Sequence, residues 1–276
     1  MKLLITGANG QLGRGIIDAS QSKGCQVQAP SEADLDITDP GKVDHVVTDL
    51  QPDIVINTAA YTQVDKAETE EDLAFKINKT GCAHLARICA ENQIPLVHIS
   101  TDYVFDGQKG APYLETDPIS PLGVYGRSKA EGEIEIRSLL KEHIILRTSW
   151  LYGIHGQNFV KTMLGLATGQ KEIRVVADQY GCPTNATDLA QTILTICDHL
   201  YSKPQINWGT YHYCGSGVIS WHAFAEKIME LTRQHSGTRT ASVKPVTTAE
   251  YPTRAVRPKY SALDCSRIQK HFGINP

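Results

Sequence analysis

The sequence predicts an α/β fold, a doubly wound parallel sheet followed by a smaller C-terminal lobe, on three observations. Apolar, strand-like runs recur at 2–6 (KLLIT), 25–29 (CQVQA), 53–59 (DIVINTA), 96–101 (LVHIST) and 143–149 (HIILRTS). Helix-length segments separate them, the alternation expected of a parallel sheet covered on both faces. At 276 residues the chain can bury a large core without staples.

The first strand runs into TGANGQLGRG, which places Gly7, Gly10 and Gly13 ahead of an apolar helix face made by Leu12, Ile16 and Ile17. Such a turn needs positive φ and close backbone approach, and the helix behind it offers unpaired N–H groups to a pyrophosphate. The stretch therefore reads as a dinucleotide site of the Rossmann type, with Gly7, Gly10, Gln11, Leu12 and Gly13 as cofactor contacts. After the second strand, QAPSEADLDITD has no acid at the strand end and no arginine to grip a 2′-phosphate. Asp36 and Ile37 are placed to reach the adenine, and the choice between NADPH and NADH stays open. Asp39-Pro40 reads as an N-cap followed by proline at the first helical position.

The fourth strand ends in STDYVFDG, so Ser100, Thr101 and Asp102 stand at its carboxyl end, where open α/β sheets bind ligands. Asp117-Pro118 through Pro121 makes a rigid entry to the next helix. Of the 11 tyrosines only Tyr125 has a lysine four residues on, Lys129, one turn away on the same helical face. A phenol titrates near ~10. A neighbouring ammonium and an oxidised nicotinamide ring both favour the phenolate, which would bring Tyr125 into range for proton transfer. The Thr101 hydroxyl can hold the substrate oxygen that Tyr125 protonates. Trp150, at the end of the fifth strand on the same rim, is a candidate stacking residue.

Beyond residue 150 the texture changes to shorter strands, EIRVVAD and GTYHYC, among helices at about 186–201 and 220–235. Residues 1–150 thus read as the dinucleotide-binding domain. Residues 151–276 read mainly as a substrate lobe, interleaved with the end of the sheet. Arg254 and Arg257 in YPTRAVRPKY could meet a nucleotide diphosphate through their planar forks. Asp178 and Gln179 are explained by turn chemistry.

Several classes are excluded. The seven cysteines are scattered and never spaced C-x-x-C, so they read as buried free thiols. The ten histidines form no ligand cluster, and no metal site is expected. A net charge of −3 with dispersed Lys and Arg argues against a nucleic-acid or anionic-membrane surface. No charged-then-apolar leader opens the chain and no apolar run approaches the ~20 residues of a membrane span, so a cytoplasmic location is expected.

Taken together, TGANGQLG, LDITD, NTAAYTQVDKAE, HISTDYVFDG, SPLGVYGRSKAEGE, RTSWLYG, NFVKTM, VADQYGCPT and RPKYSAL resemble an extended short-chain dehydrogenase/reductase. Within that superfamily the chain is similar to the dTDP-4-dehydrorhamnose reductases. The resemblance implies hydride transfer from NADPH or NADH to C4 of a dTDP-4-keto-6-deoxy-L-hexose. It implies Tyr125 as proton donor, Lys129 as its lysine and Thr101 as the hydroxyl that tunes the phenol. It places Trp150 and Asp102 on the sugar nucleotide, and Ala60, Tyr61 and Thr62, with Ala59 before them, along the cofactor; Arg257 stands as a substrate contact on its guanidinium chemistry alone, with a solvated or helix-capping role as the alternative. Some family members dimerise around a magnesium ion held by glutamates. Here those positions fall on the Arg14-Gly15 stretch and on Thr187, which argues against a metal bridge and for a monomer or weak homodimer. The family also continues into a further helix where this sequence reads HFGINP. Two other readings are another nucleotide-sugar reductase or epimerase, and a non-catalytic cofactor-binding subunit resembling that of methionine adenosyltransferase.

Overall fold

The computed structural model describes residues 1–167, 169–203, 205–236 and 240–276. The first half alternates strand and helix: β1 (Lys2–Thr6), α1 (Gln11–Ser20), β2 (Gln26–Gln28), α2 (Pro40–Leu50), β3 (Ile54–Asn57), α3 (Val64–Ala67), α4 (Glu71–Phe75), α5 (Gly81–Asn92), β4 (Leu96–Thr101), α6 (Val124–Leu139) and β5 (His143–Thr148). The second half is more broken: β6 (Leu151–Tyr152), α7 (Phe159–Ala167), β7 (Glu172–Val176), β8 (Tyr180–Gly181), β9 (Thr184–Asn185), α8 (Ala186–Ser202), β10 (Gly209–His212), β11 (Ile219–Ser220), α9 (Trp221–Ser236), β12 (Ser242–Val246) and α10 (Ser266–Phe272).

Six strands form the main sheet in the order β10-β5-β4-β3-β1-β2, parallel throughout. Side chains alternate between its two faces, as the period of a strand requires. Leu3, Ile5, Ile54, Ile56, Val97, Ile144 and Leu146 join Leu12 and Ile16 of α1, Leu189 and Ile193 of α8, and Ile268 and Phe272 of α10. Leu4, Val55, Leu96 and Ile145 face the other way, onto Val43 and Val47 of α2, Leu85 and Ile88 of α5 and Ile136 of α6. The sheet is therefore doubly wound, as the sequence predicts. Its connections change direction between β1 and β3, which is where such sheets open a ligand crevice. β10 comes from the second half of the chain and pairs with β5.

Helix boundaries follow local chemistry. Asp39 caps α2, its carboxylate accepting from Gly41 and Lys42 N–H, with Pro40 at the first position. α6 has no side-chain cap of its own. Instead Glu68, from the segment after α3, reaches across so that its Oε1 accepts from Val124 N–H at 2.8 Å. Between α4 and α5 the helix widens into a π turn at Lys76–Thr80. A second core lies outside the main sheet, where β7 pairs with β12 and Met163, Ile173, Val175, Ala225 and Met229 pack together between α7 and α9. No described helix is long and apolar enough to cross a membrane.

Candidate active site

The glycine turn has the backbone its sequence demands. Gly7 sits at φ +69°, and a Cβ there would lie 2.5 Å from Ala59 N, so no other residue fits without moving β3. A Cβ on Gly13 would lie 2.5 Å from Gly7 O. Gly10 is the N-cap of α1, which has no side-chain cap and no acid in its first turn. The N–H groups at that end are left for an anion.

Two cavities meet above the turn, sharing Gly10, Thr58 and Ala60. One, of about 560 Å³, is lined by Gly10, Gln11, Leu12, Gly13 and Thr62 on one side and by Thr101, Asp102, Tyr125, Lys129 and Trp150 on the other. The second, of about 340 Å³, is lined by Gly7, Asp36, Ile37 and Ala59, together with Glu32 and Lys76. A hydrogen bond from Thr38 N–H holds the Asp36 carboxyl below the usual range despite partial burial.

Thr101 closes β4. Its Oγ1 donates to Asp102 Oδ1 at 3.1 Å and accepts from Tyr103 N–H at 3.2 Å. Burial pushes the Tyr125 phenol up to about 12, with the neighbouring Thr101 hydroxyl opposing the rise. Lys129 lines the same cavity but contributes no lowering of the phenol. Its Nζ donates to Ile99 O at 2.7 Å and lies 3.2 Å from His98 Nε2. Burial lowers the Lys129 ammonium from its ordinary value. Burial likewise pushes Asp102 up to about 7, against the neighbouring hydroxyls of Ser261 and Thr101. Its Oδ2, buried in the cavity wall, has no hydrogen-bond partner among the described residues. An orphaned acceptor at that place suits a ligand hydroxyl.

Trp150 adopts φ +47°, a left-handed conformation that costs a non-glycine residue on the order of 1–3 kcal/mol. Its ring lies flat between Gly181, where a Cβ would come within 2.6 Å of Trp150 Cε2, and Trp221, whose centroid is 3.5 Å away at 7°. Both indoles line the larger cavity.

Three of the sequence candidates, Tyr61, Arg254 and Arg257, line neither cavity. Arg257 is forked onto Asp65, Nη2 to Oδ2 at 2.7 Å and Nη1 to Oδ1 at 3.1 Å, and backs Tyr103 from behind. Tyr61 is buried, its hydroxyl donating to Glu70 Oε2 at 2.6 Å. Its backbone is held at both N–H and C=O by Asn78, a residue of the π turn that also donates to Ser128 Oγ on α6. Gly15 and Thr187 line a separate hollow of about 240 Å³ with Asp18 and His155.

Three contributors were not read from sequence. Trp221 carried only its rarity, as one of three tryptophans. His98 stood in a β-branched run with nothing to mark it as polar machinery. Glu133 follows Lys129 by one turn, a spacing that gives no sign of burial. It is fully buried, accepting from Ser100 Oγ at 2.6 Å, Arg147 Nη2 at 2.6 Å and Arg147 Nε at 2.8 Å.

A family model described as the RmlD substrate binding domain matches residues 1–276. A dTDP-4-dehydrorhamnose reductase of Aggregatibacter actinomycetemcomitans is 44% identical over 277 residues, covering 100% of this chain and 94% of its own. The crystal structure of a dTDP-4-dehydrorhamnose reductase from Clostridium acetobutylicum superposes with a TM-score of 0.91 at 42% identity, covering 98% of this chain and 92% of that one. One from Bacillus anthracis, in complex with NADP, gives 0.89 at 39% identity over the same shares, 98% and 92%. Matched along its whole length in this way, the chain belongs to the dTDP-4-dehydrorhamnose reductase family.

Proposed function

We propose that the protein reduces the C4 keto group of dTDP-4-dehydro-L-rhamnose to dTDP-L-rhamnose, using NADPH or NADH. The observation that carries this reading is a single cavity bordered by the glycine turn, Thr101, Tyr125, Lys129 and Trp150 in a chain of this family. The glycine cradle, too tight for any Cβ at Gly7 or Gly13, and the uncapped start of α1 fit a dinucleotide. Gln11, Leu12 and Gly13 would take the pyrophosphate, while Asp36, Ile37, Ala59, Ala60 and Thr62 border the rest. When bound, the reduced nicotinamide supplies the hydride. Tyr125 gives its proton to the substrate oxygen, Thr101 steadies the forming alkoxide, and Lys129 orients the cofactor side of the pair. Asp102 and Trp150 hold the sugar nucleotide. Arg257 acts at one remove, by bracing Tyr103.

The test is loss of reduced-nicotinamide absorbance when purified protein and NADPH meet dTDP-4-keto-6-deoxy-L-hexose or its D-configured counterpart. Turnover of the L-sugar alone supports the reading. Preference for the D-sugar points to another nucleotide-sugar reductase or epimerase, and cofactor binding without turnover points to a regulatory subunit.

Gly10→Val bears on the cofactor site separately. A Cβ at Gly10 meets only Gly7 O, at 3.1 Å, so the fold should survive while the branched side chain fills the place of the pyrophosphate. NADPH affinity should fall by at least about tenfold. An unchanged titration would move the site elsewhere.

Working in the cytoplasm, the protein is proposed to act as a monomer or weak dimer without a metal bridge. Arg14 and Gly15 offer magnesium no side-chain oxygen. Sedimentation should therefore be the same with and without EDTA, and a dimer that dissociates on chelation would overturn this.

A further inference from the structure

Beneath the cavity a buried line of polar groups runs from β3 to α6 through Asn57, His98 and Lys129, and the donor at each link can be assigned. The Ala59 backbone N–H, which can only donate, meets Asn57 Oδ1 at 3.1 Å, and Thr6 Oγ1 donates to the same oxygen at 2.6 Å. The amide nitrogen of Asn57 must therefore face His98 Nδ1, 3.0 Å away, with Cys82 Sγ at 3.6 Å. An amide nitrogen donates and never accepts, so Nδ1 of His98 carries no proton. His98 is fully buried, and that burial holds the ring well below the usual histidine range. A neutral imidazole with a bare Nδ1 carries its hydrogen on Nε2. That N–H lies 3.2 Å from Lys129 Nζ. An ammonium has three donors and no acceptor, so the contact would set hydrogen against hydrogen. A neutral amine turns its lone pair to His98 and still donates to Ile99 O.

We propose that His98 is a positioning residue for Lys129, fixing it as a neutral amine that becomes an ammonium only on leaving the imidazole. The surroundings agree. On α5 the buried Cys82 thiol is pushed up to about 11 and carries no charge. On α6 the Glu133 carboxylate is taken by Arg147, Arg137 and Ser100, and Tyr125 is held up to about 12. On β5 His143 is lowered by burial. None of these groups offers Lys129 a free anion. The catalytic consequence rests on the reductase reading: loading the cavity becomes a step that takes up a proton.

The test begins on the free protein, by nitrogen-15 NMR of labelled histidine and lysine. His98 should show a bare Nδ1 and a protonated Nε2, with Lys129 a neutral amine below the ordinary lysine value of ~10.4. Asn57→Asp puts an acceptor-only carboxylate against Nδ1 and should reverse the tautomer. Calorimetry of NADPH binding in buffers of different ionisation heat should reveal proton uptake in the wild type and its loss in Asn57→Asp. A proton on Nδ1, or a charged Lys129 beside a protonated Nε2, overturns the proposal on wild-type protein alone, even if the variant does not fold. Absence of turnover with the expected tautomer intact would count against the reductase reading only.

Discussion

Tyr125→Phe should lower turnover by roughly 10²–10⁴-fold, the usual cost of losing a general acid, while NADPH affinity stays close to that of the wild type. The change removes one oxygen and keeps the ring, which meets Tyr103 edge-on with centroids 5.7 Å apart. With the phenol held up to about 12 in the free protein, Tyr125 is protonated throughout the neutral range and needs no further event before it can donate. Steady-state rates with the L-ketosugar, alongside a fluorescence titration of NADPH and a thermal melt, separate chemistry from binding and folding. Near-normal turnover in a folded variant would remove Tyr125 from the role of proton donor.

The second large effect is on stability. Glu133→Ala should cost about 3–5 kcal/mol, because it leaves Arg147 charged and buried without its partner. Both side chains are essentially inaccessible, and Glu133 ties α6 to Ser100 of β4 and Arg147 of β5. Burial alone would raise its carboxyl, but the Arg147 hydrogen bonds and charge, with Ser100 and Arg137, outweigh it and hold the group below the usual range. Its contribution is therefore complete above the ordinary glutamate range and is lost as pH falls through the depressed value. Glu131→Ala, on the exposed side of the same helix, should stay within about 0.5 kcal/mol. Urea denaturation of the two variants checks the contrast. Equal midpoints would mean that the buried pair does not hold the helix that carries Tyr125 and Lys129.

What the sequence made legible was whatever depends on neighbours in the chain. Gly7 and Gly13 are dictated by a turn of a few residues, and Tyr125 and Lys129 by one turn of helix. Strand runs such as LVHIST announce themselves by composition. Arg257 is paired with Asp65 because a planar fork suits a carboxylate as well as a phosphate, and only the fold brings Asp65 to it. The position of Tyr61 beside the cofactor strand says nothing of which way its ring turns; Glu70, just before α4, and Asn78, in the π turn, decide that. His98 and Glu133 were missed for a related reason. Their meaning lies in who donates to whom across β3, β4, β5 and α6, and polarity of that kind has no period.

The pairing of β10 with β5 has a consequence for how the chain comes into being. Synthesis runs from the amino end, so the outer edge of β5 emerges well before Gly209–His212 exist to cover it. Through that interval the nascent polypeptide carries an open parallel edge, and the layer built by Leu189, Ile193, Tyr211 and Phe272 is still missing from the face that seats α1. Species of that sort are the ones chaperones hold and aggregates recruit. A fragment released after residue 150 would keep the glycine turn, the threonine, the tyrosine and the lysine, yet lack the wall that keeps the turn in place. Assembly of the reactive centre therefore waits until Gly209–His212 have been made.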